Sequence, residues 1–98
     1  MRFSLTIGNH KYVLTLTPAS LTLLMQVSRL STQIPTNERE YGIWEKQLEE
    51  YWKLILKKCV DPRPRPEDEP AVMIALIQAG GEIMNKLSNF KLVEVENS

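Results

Sequence analysis

Between Pro35 and Pro62 no proline interrupts the chain, and the run NEREYGIWEKQLEEYWKLILKKC places Tyr41, Trp44, Leu48, Tyr51 and Ile55 at alternating spacings of three and four. That spacing gathers them on one face of an α-helix and on no face of a strand. Trp52, Leu56 and Cys59 widen the face. Asn37, followed three residues later by Glu40, matches a capping box at the start. Acidic residues crowd the first half and Lys53, Lys57 and Lys58 the end, which suits the helix dipole. Glu49 and Lys53 form an i,i+4 pair worth about 0.2–0.5 kcal/mol. Gly42 weakens the first turn by about 1 kcal/mol. Pro62 closes the helix, because the residue before a proline is pushed away from helical angles. A helix this long and this amphipathic needs apolar partners, so the rest of the chain must supply them.

RFSLTIGNHKYVLTL supplies the first. Phe3, Leu5 and Ile7, then Tyr12, Leu14 and Leu16, alternate with polar residues, the period of a half-buried strand. A two-residue turn at Asn9-His10 sets Ile7 opposite Tyr12, Leu5 opposite Leu14 and Phe3 opposite Leu16. The six apolar side chains then share one sheet face, which a lone hairpin cannot shield from water. TPASLTLLMQVSRL follows as a helix, with Thr17 as cap and Pro18 in the first turn. Its stripe of Leu21, Leu24 and Met25 is flanked by Leu23, Val27 and Leu30. So wide an apolar surface predicts contact with both the sheet and another helix.

DEPAVMIALIQAGGEIMNKLSNF is the third helical run, with Asp68 or Glu69 as cap and Pro70 in the first turn. Val72, Leu76, Ala79, Ile83, Leu87 and Phe90 keep helical phase across Gly80-Gly81, which predicts a continuous helix. Small residues at 79–81 permit close approach of a neighbouring helix. The tail KLVEVENS alternates weakly and is read as a short added strand or a frayed end. The expected architecture is α+β, mainly α. It is one domain over residues 1–98, with a hairpin at 2–16 and helices at about 18–31, 37–60 and 69–89.

The stretch CVDPRPRPEDEP joins the last two helices. Its prolines stiffen the link toward an extended path. Arg63 and Arg65 could hold a carboxylate or phosphate, but Glu67, Asp68 and Glu69 stand ready to neutralise them. The commoner role of such a segment is a rigid connection.

The chain offers little chemistry. With 98 residues it is long enough for one modest core. A hydrophobic fraction of 43% separates it from disordered chains. His10 is the only histidine and Cys59 the only cysteine, so neither a zinc site nor a disulfide is expected. His10 is read as a turn residue and Cys59 as a small buried hydrophobe. IGNH and AGGE lack the lysine and the context of a phosphate loop. Paired acids such as Glu49 and Glu50 look like a solvated helix face. No catalytic residue, metal or cofactor is expected. Twelve basic residues balance twelve acidic ones, so nothing pulls the chain toward nucleic acid or an anionic membrane. The opening MRFSLTIGNH lacks the apolar core of a signal peptide, and no apolar run approaches a membrane span. A soluble cytoplasmic protein is expected.

The order of pieces is informative. An apolar hairpin runs into LTPASLTLL, a long helix ends LILKKCVDPRPRPED, and a second helix carries AVMIALIQAGGEIMNKLSNF. This arrangement resembles the tail assembly chaperones of long-tailed bacteriophages, small helical proteins that open with a short β segment. The likeness rests on the strand into Thr17-Pro18 and on Val60, Asp61, Pro62, Glu67 and Asp68, and it covers most of the chain. The alternating prolines and the strand-like tail depart from that pattern.

The resemblance implies a non-enzymatic protein that binds the tape-measure protein and keeps it soluble until tail-tube subunits polymerise around it. The tail-tube protein is a second candidate partner, and self-association is expected. An apolar groove would shield the client helix. Trp44, Leu48, Tyr51, Trp52 and Ile55 are its expected lining, with Ile83 and Leu87 beside them. The alternatives are a nucleic-acid-binding regulator working through the basic cluster from Lys53 to Arg65, and a structural adaptor in a larger particle.

Overall fold

The hairpin turns at Gly8-Asn9, one residue earlier than expected. In the computed structural model, which describes residues 1–95, β1 (Arg2–Ile7) pairs antiparallel with β2 (His10–Thr15). Leu5 faces Tyr12, Phe3 faces Leu14, and Ile7 faces His10. Gly8 has φ +58°, a left-handed angle that suits glycine at the first central position of a two-residue hairpin turn. His10 is therefore the first residue of a strand and not part of the turn. The expected pairing is corrected by two residues. An even shift preserves the side-chain period, so all six apolar residues keep to one face.

Helix α1 (Pro18–Thr32) starts where expected, with the Thr17 hydroxyl accepting the Ser20 amide at 3.2 Å. Helix α2 (Glu38–Cys59) is capped by Asn37, whose Oδ1 accepts the Glu40 amide at 2.8 Å. Helix α3 (Glu69–Leu87) passes through Gly80-Gly81 without a break. A Cβ on Gly80 would sit 3.1 Å from Leu24 Cδ1, so the absent side chain is what lets α1 approach α3.

The connector does more than link helices. Val60 and Asp61, with Val60 expected to extend the helix, form a short strand, β3 (Val60–Asp61). It pairs with Val13 and Leu14 and makes the sheet three-stranded, in the order β1-β2-β3. A 3₁₀ turn at Pro66–Asp68 then leads into α3. No strand forms over residues 90–95 of the tail. The rest of that tail lies outside the described residues.

One face of the sheet and all three helices share a core. Tyr12, Leu14 and Leu16 meet Leu24 and Val27 of α1, Ile55, Leu56 and Cys59 of α2, and Val72, Leu76, Ala79 and Ile83 of α3. Cys59 packs there as the small hydrophobe expected. The longest helix–helix contact is between α1 and α2, while α3 lies against β1, α1 and the 3₁₀ turn.

Candidate partner-binding surface

Two features stand outside the apolar core: a polar latch internal to the fold, and an apolar surface that is exposed. The latch joins the hairpin to the connector. The buried Tyr12 hydroxyl donates to Asp68 Oδ2 at 2.6 Å. Arg65 donates to the same carboxylate from Nε at 3.1 Å and Nη2 at 3.4 Å, and its backbone amide donates to the Tyr12 hydroxyl at 3.3 Å. Asp68 or Glu69 is the expected cap of α3, and Asp68 holds that position. Its side chain makes no capping bond and turns into the protein instead. The Tyr12 hydrogen bond, and then the Arg65 guanidinium, hold the Asp68 carboxyl below its ordinary value. Asp68 in turn raises Arg65. Arg65 also pairs with Glu67 at 3.4 Å, and Lys53 pairs with Glu49 at 3.2 Å. Two members of the expected basic cluster thus already have acidic partners within the chain.

The aromatic face of α2 is largely consumed internally. Trp44 is half-buried, and its Nε1–H donates at 2.6 Å to the Leu30 carbonyl in the last turn of α1. The same carbonyl accepts the Gln33 amide at 3.1 Å, so Trp44 adds a second donor at the C-terminal end of α1. Its ring also lies 5.2 Å from that of Tyr41. Leu48, Tyr51 and Trp52 are half-buried and pack on the core. Ile55 is fully buried at 0% exposure and Ile83 nearly so at 6%. The expected groove is therefore corrected at Ile55 and Ile83, which face the core, and at Trp44, which binds α1. The reason is that α1 covers α2. Of the seven residues expected to meet a partner, only Leu87, at 65% exposure, stands fully in solvent.

The exposed apolar surface lies elsewhere. Ile74 (58%), Ile77 (57%) and Met84 recur along α3 at spacings that keep one face, with Gly81 between them, while Leu87 continues the arc of Leu76 and Ile83 at the exposed end of the helix. Nothing lies within 4 Å of where a Gly81 Cβ would stand, so the face is open at its middle as well. Tyr41, Ile43 and Leu54 are exposed on α2, and Met25 on α1. The α3 stripe had a signal in the sequence. Val72, Leu76, Ala79 and Ile83 fill one arc of the helix, and Ile74, Ile77 and Met84 fill another. A helix apolar on two arcs either lies deep in a large protein or meets something outside its own chain.

Among the described residues no helix is long and apolar enough to cross a membrane. Comparison of the chain with protein-family models, with curated proteins and with solved structures returns no match.

Proposed function

We propose that the chain is a non-enzymatic tail assembly chaperone that binds the tape-measure protein through the exposed stripe of α3. The observation that carries this reading is the run of Ile74, Ile77 and Met84, apolar side chains exposed on one face of a long helix. An amphipathic client helix lays its apolar face along such a stripe, with anchors one turn apart. The resemblance of the chain's order of pieces to tail assembly chaperones supplies the client's identity. The α3 stripe stands in place of most of the expected α2 lining, Leu87 extends the apolar surface at the end of the same helix, and the chain self-associates in the host cytoplasm.

The test is a light-scattering assay with a purified tape-measure fragment. The protein should delay the fragment's aggregation at near-equal molar ratio. Ile74→Asp with Ile77→Asp should raise the ratio needed by at least tenfold while circular dichroism stays unchanged, because both side chains are exposed. Equal protection by the double variant would remove α3 from the site, and no protection by the unaltered chain would remove the function.

A further inference from the structure

Among the described residues nothing pairs with the outer edge of β1. The sheet order places β1 at one end, with only β2 beside it. Met1 and Leu16 exchange both backbone hydrogen bonds at 2.8 Å. By the alternation of an antiparallel ladder, Phe3, Leu5 and Ile7 then bond toward β2, while the N–H and C=O groups of Arg2, Ser4 and Thr6 point outward. Natural edges are guarded by prolines, bulges or several charges. This one has a single charged residue, Arg2.

Beside that edge runs a groove of about 480 Å³ between β1 and α3. Phe3, Leu5, Leu14, Ala75 and Ala79 give it an apolar floor, with Glu82 at its rim. The same chain carries a segment suited to it. Residues 90–94, FKLVE, follow α3 without regular structure, and Phe90, Leu92 and Val93 are 64%, 85% and 75% exposed. Period two sets Phe90 and Leu92 on one side of an extended segment and Lys91 and Val93 on the other. Seated on the edge, the first pair fills the groove and Lys91 joins the polar outer face of the sheet.

We infer that the C-terminal segment of a second copy adds to β1 as a fourth strand, and that the exchange is reciprocal. In the single chain the segment forms no strand and leaves Phe90 and Leu92 exposed, which points to an edge on another copy. Zero net charge leaves no long-range repulsion between copies. One seated tail removes roughly 400–600 Å² from water, taking about 150 Å² for the aromatic ring and less for each remaining group. Only two such exchanges reach the ~1,000 Å² of a specific interface. A closed two-fold pair follows. It is independent of the client reading, since it uses neither Ile74 nor Ile77.

Sedimentation equilibrium of the full chain tests it. The unaltered chain should dimerise. Phe90→Asp with Leu92→Asp, and separately Ser4→Pro, should each raise the dissociation constant at least tenfold. Ser4→Pro removes an outward amide and leaves the β1–β2 bonds alone. Mixing the two variants leaves one intact tail and one intact edge, so a weak one-to-one complex should reappear. That recovery separates strand exchange from misfolding of either variant. A chain that stays monomeric at several hundred micromolar, a dimer indifferent to the tail variant, or tail amides protected from exchange in a monomer would each overturn the inference.

Discussion

Gly80 and Gly81 are neighbours in α3 with opposite surroundings. Glycine costs a helix interior about 1 kcal/mol relative to alanine. At Gly81 nothing lies near the missing Cβ, so Gly81→Ala should stabilise the protein by about 0.5–1 kcal/mol. At Gly80 a Cβ meets Leu24 Cδ1 at 3.1 Å, and Leu24 must move aside. Gly80→Ala should gain less than Gly81→Ala, and Gly80→Val should cost about 1–3 kcal/mol by overpacking the α1–α3 contact. Urea midpoints of the three variants check the order. The sequence shows two identical residues and their tolerance of a small neighbour. Which of them faces the other helix depends on a packing partner more than fifty residues away.

At the scale of elements, the ends of helices were legible because their signals are local. Thr17 and Asn37 each satisfy an amide three residues on, a contact that requires no other part of the chain. Asn37→Ala should cost about 1 kcal/mol, read from the thermal midpoint, since no other side chain is placed to replace the bond. The third such expectation failed for a physical reason. Asp68 has the right residue type and position, but a buried tyrosine hydroxyl and a guanidinium compete for its carboxylate. The carboxylate is ionised in either role, but the guanidinium and the tyrosine hydroxyl together offer it more donors than a single backbone amide, so the tertiary partners win. Trp44 and Ile55 show the same limit. Periodicity placed them on one face of α2, but it does not say whether that face meets α1, the sheet or a partner.

For the whole molecule, the dimensions are informative. The Cα radius of gyration is 16.5 Å and the principal extents are 56 × 39 × 17 Å. A compact chain of this length has a radius near 13 Å. The thin, drawn-out shape is why α3 keeps an outer apolar arc, and it explains why a small core coexists with a large exposed apolar area. The latch between Tyr12, Asp68 and Arg65 closes the connector onto the hairpin, so it bears on global stability. The Asp68 carboxyl is held below its ordinary value of 3.8. Its contribution is therefore complete above that value and is lost as pH falls through the lower folded value. Arg65, raised by the same contact, stays charged throughout and adds no slope there. The stability gap between the unaltered protein and Asp68→Asn should be constant above about pH 5 and shrink below pH 4. Urea unfolding at a series of pH values measures it. A gap that persists unchanged at pH 2 would show that the carboxylate charge is not what the latch uses.

By itself the sequence determined the hairpin, the three helices, the caps of the first two and the continuity of α3. Each of those rests on neighbours within a few residues, where spacing and backbone chemistry are sufficient. Tertiary structure alone decided that α1 covers the aromatic face of α2, that Val60–Asp61 joins the sheet, and that Asp68 turns inward to Tyr12. An apolar face is equally content against any apolar surface, because burial is non-directional. Only the assembled chain shows which faces are spent and that the outer face of α3 is left over.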